Sequence, residues 1–331
     1  MQHRQQYTVV NDCISHFKEI SHGVPQGSVL GPLLFLLYIN DINFAVTEGE
    51  LKLYADDTNL FLNDTNLDRL CDRTNQSLDS LYQWFLANKL SVSFDKTVYN
   101  IFSPHHKTIN LDAFKLKISN VEVKRAKCCK YLGIMLDDEL NWKSHIDYIE
   151  TKLIKFTSLF YKIRHKLTPE CRKALYYAMI YPHLIFAIEL YGSATVNNLH
   201  KLQMLQNKFL RILQMQGIRC PTNRLYEAYD TFKIRDLHEI NILGITHKII
   251  YHPSELPKIY QNYLLFNNDI HDHDTRYKTN IFSHHIRTKM GAKDFKFKSR
   301  QLWNVLPVEI RESDNSNQFK LKIRKFYRAK Y

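Results

Sequence analysis

Apolar and polar positions follow two rhythms along this chain. Short runs with strand spacing dominate as far as about residue 140, and helical spacing takes over beyond it. Residues 7–10 and 17–20 read as extended segments, with polar residues between them and a turn at Gly23. Gln26-Gly27-Ser28 opens an apolar run over 29–39. Its length and its leading Ser predict a buried helix that ends near Asn40-Asp41. Residues 51–54 and 58–62 are apolar runs on either side of Asp56-Asp57, a pattern that predicts a β-hairpin. Over 66–86, Leu67, Leu70, Leu78, Leu81 and Phe85 fall on one helical face. Residues 92–94 and 98–102 read as strands around Lys96, and 131–136 as another that runs into Asp137-Asp138-Glu139.

From Trp142 the spacing is helical. Leu153, Phe156, Leu159, Phe160, Ile163 and Leu167 mark one helix. Thr168-Pro169-Glu170 starts the next, with Thr as cap and Pro at the first helical position, and Pro182 should kink or end it. Residues 198–216 form a third, with Leu199, Leu202, Leu205, Phe209, Ile212 and Leu213 on one stripe and Gly217 placed to stop it. The stripe is too short for several heptads, so it predicts a packed helix rather than a partner zipper. A fourth helix covers 235–251, while 252–331 is polar, basic and rich in histidine. No internal repeat is visible. The expected fold class is α+β.

Composition narrows this picture. The 331 residues allow about two domains, and 44% hydrophobic with 24% charged residues is the balance of a folded chain. The apolar run at 29–39 is far short of the roughly 20 residues that span a bilayer, and the first residues lack an apolar signal core. An intracellular protein is expected, nuclear or cytoplasmic, neither secreted nor membrane-spanning. Cysteines at 13, 71, 128, 129, 171 and 220 form no C-x-x-C pair and read as reduced, mostly buried thiols, including the adjacent Cys128-Cys129.

The net charge of +13 suits a polyanionic partner, and its distribution sharpens that. Residues 1–142 hold 14 basic and 17 acidic side chains, net −3, and residues 143–331 hold 32 and 16, net +16. A carboxylate site ahead of basic elements fits a polyanionic substrate held beside it, although lysine-rich surface helices also serve solubility alone.

The informative chemistry is Asp56-Asp57. Adjacent carboxylates at a hairpin tip need a cation or solvent to relieve their repulsion. A bare pair reads first as a solvated acidic turn. The alternative is Mg²⁺, which takes carboxylate and phosphate oxygens together. A pair of such ions about 4 Å apart can activate an attacking hydroxyl and stabilise a leaving oxygen.

The context favours the ion. Tyr54-Ala55-Asp56-Asp57 resembles the Y-x-D-D signature of reverse transcriptases. Upstream, Gly23-Val24-Pro25-Gln26-Gly27-Ser28-Val29-Leu30-Gly31-Pro32 resembles the G-x-P-Q-G-S block of that family. Downstream, Asn88-Lys89-Leu90 with Asp95-Lys96-Thr97, and then Tyr131-Leu132-Gly133-Ile134, match its later palm motifs in order. The wording is most similar to non-LTR retrotransposons of the long interspersed element type. Leu140-Asn141-Trp142-Lys143 and the following helices resemble the thumb of that group. Thr275-Arg276, Trp303-Asn304-Val305-Leu306-Pro307 and Phe319-Lys320 resemble its tail.

The resemblance implies a partial right-hand palm over 1–140, with a short antiparallel sheet and helices. A helical thumb over 141–190 and a basic, mostly helical region over 191–331 would follow. Asp56 would be the principal ligand for Mg²⁺, or Mn²⁺ in its place, with Asp57 beside it. Pro25, Gln26, Gly27 and Ser28 would lie against the template and the incoming nucleotide. Lys96 would sit near the triphosphate. Tyr131, Leu132 and Gly133 would steady the primer end, and the basic helices from Lys143 would follow the duplex. The partners implied are an RNA template, a DNA primer and deoxynucleoside triphosphates.

Such enzymes need a further metal-binding Asp several dozen residues before the G-x-P-Q-G-S block. Only 22 residues precede Gly23 here, with Asp12 and Glu19 the sole acids. The expectation is an amino-terminally truncated copy or partial gene model, inactive by itself. The competing expectations are a non-catalytic remnant that binds nucleic acid and an inert, poorly folded product. His271-Asp272-His273-Asp274, His284-His285 and His105-His106 read as solvated loops rather than metal sites. The tail over 320–331, where Phe326, Tyr327 and Tyr331 alternate with basic residues, reads as a fraying end or as a surface for stacking on single-stranded bases.

Overall fold

The computed structural model describes residues 4–20, 23–25, 27–103, 113–260, 262–270, 279–282, 285–288 and 290–331. Gln26, His105-His106, His271 to Asp274, Thr275-Arg276 and His284 lie outside the described residues. The chain divides into two compact units, one of residues 1–99 with 107–126, the other of residues 100–106 with 127–331.

In the first unit, β1 (Arg4–Gln6) pairs with β4 (Lys18–Ile20), and β2 (Val9–Val10) pairs with β3 (Cys13–Ile14), both antiparallel. Asn11 and Asp12 turn the hairpin with φ of 47° and 61°, the double left-handed geometry of a type I′ turn. Helix α1 (Gly31–Ile39) carries Pro in its first turn, and a 3₁₀ turn over Ile42–Ala45 follows. β5 (Glu50–Tyr54) and β6 (Asp57–Phe61) form the expected hairpin. Helix α2 (Leu67–Ala87) starts on Asn66, whose side chain accepts from the Arg69 amide. β7 (Val98–Tyr99) runs parallel to β10 (Lys124–Arg125), and β8 (Lys117–Ile118) pairs with β9 (Val121–Glu122). Asn75 of α2 accepts from the Lys117 amide at 2.9 Å and donates to the Lys115 carbonyl at 3.1 Å, so the helix anchors that outer strand.

The core of this unit is small. Ile39, Ile42 and Leu81 are buried, with Phe35, Leu51, Leu53, Leu60, Trp84 and Phe85 packed on them. Helix α1 forms as expected, but it is not the buried helix its composition predicts. Ile39 alone is buried in it, and Leu36 and Leu37 are 62% and 67% exposed. A helix that is apolar on every side has more face than one neighbouring layer can cover. The expected strand over 92–94 is absent, and the one over 98–102 shrinks to β7, because Phe94, Asp95 and Lys96 form a turn.

In the second unit, β11 (Cys128–Tyr131) and β12 (Ile134–Asp137) form an antiparallel hairpin. Asp137 is buried and accepts from the Asn141 amide at 2.9 Å and the Trp142 amide at 3.1 Å, so the acidic end of the strand positions the start of α3 (Lys143–Ile163). Helix α4 (Pro169–Leu175) is capped by Thr168, whose hydroxyl accepts from the Cys171 amide at 3.3 Å. A π-helical turn over Tyr176–Ile180 precedes α5 (Tyr181–Ile185), which contains Pro182, and α6 (Ile188–Tyr191) follows. The widened turn accommodates the proline where a regular helix would have lost a bond.

Helix α7 (Val196–Leu213) stops earlier than expected. Met215, not Gly217, takes the left-handed position at φ 56°, and the Gln216 amide reaches back to the Arg211 carbonyl at 2.9 Å, a Schellman closure. Then come α8 (Thr222–Tyr229), α9 (Ile234–Tyr251), α10 (Phe295–Val305), α11 (Val308–Arg311) and α12 (Ser316–Arg328). One large core joins these helices, with Phe160, Tyr176, Tyr191, Phe209, Tyr226, Phe232 and Phe319 fully buried.

The tail does not fray loose, and its rings pack onto the core, Tyr327 buried and Phe326 and Tyr331 half-buried against it. Phe319, Ile323 and Tyr327 of α12 are buried, Arg324 and Arg328 grip Asp230, and the Tyr331 hydroxyl donates to Asp236 at 2.5 Å. The cysteines are free thiols, yet none of them is fully buried, and Cys13 and Cys171 are exposed. The architecture is mixed helix and strand. Among the described residues the strands form separate two-stranded ladders, and no helix is long and apolar enough to cross a membrane.

Candidate functional site

The β5–β6 hairpin puts its carboxylates at a solvent-facing end. Tyr54 pairs with Asp57, which leaves Ala55 and Asp56 as the two turn residues. Asp56 therefore sits in the turn and Asp57 opens β6, and both are exposed. Ala55 is held at φ 51°, a left-handed conformation that an Ala side chain disfavours. The inward residues Leu51, Leu53 and Leu60 fix the hairpin onto the Ile39, Ile42 and Leu81 core. The same core holds α1, whose start carries the glycine-glutamine block.

At that start, Gly23 and Gly27 have φ of +77° and +80°. A Cβ on Gly27 would meet nothing within 4 Å, so the glycine is required by backbone conformation rather than by crowding within the chain. Pro25 is exposed, and its carbonyl accepts from the Ser28 amide at 3.2 Å. The Ser28 hydroxyl accepts from the Gly31 amide at 3.1 Å, which satisfies a donor of the first turn of α1. Arg4 of β1 donates to the Gly23 carbonyl at 2.5 Å, holding the approach to the block. Lys96 is exposed in a turn closed by the Lys96 and Thr97 amides on the Ser93 carbonyl, at 3.2 and 3.0 Å.

Two adjacent carboxylates supply part of the donor set that Mg²⁺ takes from a protein, which is commonly one or two carboxylates plus phosphates and water. Among the described residues no group of three His, Cys, Asp or Glu converges on a metal-sized site. Asp56 and Asp57 fit that carboxylate share, and among the described residues no third such group joins them.

In the second unit, Leu132 and Gly133 turn the β11–β12 hairpin with φ of 46° and 85°. Leu132 is exposed and Tyr131 half-buried. The Met135 amide donates to His145 Nδ1 at 3.3 Å, which ties the hairpin to α3. A Cβ on Gly133 would lie 3.3 Å from the Phe186 ring, a tight contact, and the φ of 85° itself favours glycine. One residue group escaped the sequence reading. Tyr148 of α3 has the Lys152 ammonium 4.4 Å from its ring centroid and Lys130 of β11 at 6.0 Å. The four-residue step from Tyr148 to Lys152 was the available signal.

Residues 2–136 match the family described as reverse transcriptase (RNA-dependent DNA polymerase). The RNA-directed DNA polymerase from mobile element jockey of Drosophila funebris is 31% identical over 219 residues, covering 62% of this chain and 23% of that protein. Its counterpart in Drosophila melanogaster is 29% identical over 222 residues, 64% of this chain and 24% of the relative. The probable RNA-directed DNA polymerase from transposon BS of Drosophila melanogaster is 27% identical over 201 residues, 58% and 22%. The chain thus spans about a quarter of the length of these relatives. No solved structure matches.

Proposed function

We propose, from the match of residues 2–136 to the reverse transcriptase family and the likeness of the chain to RNA-directed DNA polymerases of mobile elements, that the Asp56-Asp57 hairpin is the metal-holding part of an RNA-directed nucleotide-adding site. In this reading residues 1–140 are part of a palm, 141–190 a thumb and 191–331 a basic carboxy-terminal region. Asp56 and Asp57 hold Mg²⁺, or Mn²⁺, through their outward carboxylates. A bound ion would neutralise the charge of the triphosphate during phosphoryl transfer.

The chain's own residues do the positioning. Pro25, Gln26, Gly27 and Ser28 lie along the template and nascent pair. The open space at Gly27 supports this, since a base can approach the backbone there. Lys96 brings an ammonium to the triphosphate. Tyr131, Leu132 and Gly133 bear on the primer end. The RNA template, DNA primer and deoxynucleoside triphosphates are the partners. The observation that carries the reading is that one small core holds both the carboxylate hairpin and the helix that follows the glycine-glutamine block.

A second reading is binding without catalysis. It is favoured by the lack, among the described residues, of a third ligand converging with the carboxylates and by the +16 charge of residues 143–331. Mn²⁺ titration followed by electron paramagnetic resonance, with a deoxynucleoside triphosphate present, separates the two. Loss of bound Mn²⁺ in Asp56→Asn supports the metal site. Equal binding by wild type and variant refutes it and leaves the binding module.

A further inference from the structure

Tyr148 carries two ammonium groups around one phenol. Lys152 stands 4.4 Å from its ring centroid and Lys130 at 6.0 Å, and both lysines are exposed. The hydrogen bond from Lys152, with Lys130 beside it, holds the phenol below its usual pKa. Like charges gathered at one point repel, and an anion relieves that repulsion more strongly than solvent does. The cluster is tied to buried structure. Tyr148 stacks on buried His145, with centroids 6.3 Å apart and planes 27° apart. His145 in turn accepts from the Met135 amide of the hairpin that carries Lys130.

An aromatic ring stands on the same hairpin. Phe186 is 51% exposed and lies close to Gly133, where an added Cβ would come within 3.3 Å of its ring. The backbone presents it at some cost, since α5 ends at Ile185 and Ala187 is left-handed at φ 56°. Leu132, 38% exposed, is the neighbouring apolar residue at the turn. Cations at one part of a hairpin and an exposed ring at its turn suit a strand end, in which phosphates meet ammonium groups and a base meets an aromatic face.

We propose that Lys130, Tyr148 and Lys152 seat backbone phosphates and that Phe186, beside the Leu132-Gly133 turn, stacks on the terminal base of a recessed 3′ end. The proposal rests on the reverse transcriptase reading and adds to it four residues outside the family motifs. Phe186 is a positioning residue here.

The test is fluorescence anisotropy of the whole chain with a labelled DNA primer on a longer RNA template, across a salt series. Lys130→Gln and Lys152→Gln should each weaken binding about 3- to 10-fold near 0.1 M salt and reduce the salt slope by about one. Lys258→Gln, an exposed lysine elsewhere in the unit, should change neither. Phe186→Ala should weaken binding of the recessed duplex by about 5-fold or more with the slope unchanged, and leave a blunt duplex unaffected. If the wild type binds but Lys130→Gln and Lys152→Gln behave like Lys258→Gln, the seat is overturned and the functional reading stands. If Phe186→Ala discriminates no ends, the stacking role is overturned. A wild-type chain that binds no duplex at low salt overturns both seat and reading.

Discussion

The Tyr38 hydroxyl donates to the backbone carbonyl of Asn88. It joins α1, which follows the glycine-glutamine block, to the Asn88-Lys89-Leu90 motif just past α2. Asn88 is itself anchored, since its side chain donates to the Trp84 carbonyl at 3.0 Å. Tyr38→Phe should keep the packing and lose the bond. The expected cost is about 0.5–1 kcal/mol, read as faster hydrogen exchange at the Lys89 and Leu90 amides. Unchanged exchange would mean that the two motifs are held independently.

Gly192 is fixed by its neighbours. A Cβ there would lie 2.5 Å from the His238 ring and from the Ile188 carbonyl oxygen. Gly192→Ala should destabilise the second unit by about 1–3 kcal/mol through overpacking. Urea unfolding monitored by tryptophan fluorescence gives the value, and an unaltered midpoint would show that the α6–α9 contact yields freely.

His238 sets a pH dependence. Burial pushes its imidazole down from 6.5 to about 4, and the Lys298 charge works in the same direction. The folded chain therefore refuses a proton that the unfolded chain accepts between those values. Stability is whole above pH 6.5 and falls as the pH drops toward 4. At about pH 5 the loss from this group is on the order of 2 kcal/mol. His145 and His247, also lowered by burial, add to it with the same sign. Urea midpoints at about pH 7 and about pH 5 should differ accordingly. Equal midpoints would contradict the burial of a neutral imidazole.

Leu37 is 67% exposed on α1. Leu37→Lys should leave stability within about 0.5 kcal/mol, as outward-facing positions usually do, and should raise solubility by breaking an apolar patch. Sedimentation and unfolding measured together check both. A stability loss well beyond that range would show that the face is covered in solution.

Much of this fold is legible in the sequence where local chemistry decides it. Thr168 caps its helix as expected, because a side-chain oxygen two or three residues ahead of an orphan amide is a local signal. The β5–β6 hairpin is legible from the short apolar runs on either side of Asp56-Asp57. The exposure of α1 is not, because an apolar helix does not tell which side its neighbours take. Gly217 loses the helix stop to Met215 because closure by two backbone bonds outweighs the preference for glycine. Helix α12 hides its buried stripe of Phe319, Ile323 and Tyr327 among lysines and arginines, and the long-range grip of Arg324 and Arg328 on Asp230 settles it. At the candidate site the carboxylates and turn glycines are legible as motifs. Tyr148 is not, because an aromatic residue on an amphipathic helix reads as core until a lysine from another strand is seen beside it.

The most direct test of the central claim is primer extension on an RNA template in Mg²⁺, using this chain joined to the preceding reverse transcriptase segment of a jockey-type relative. The Asp56-Asp57 hairpin as metal holder predicts labelled product from the joined protein and a loss of at least about a hundredfold in Asp56→Asn, as expected when a metal ligand of phosphoryl transfer is removed. Extension that persists undiminished in Asp56→Asn, or no extension from the joined protein with its native Asp56, would contradict it.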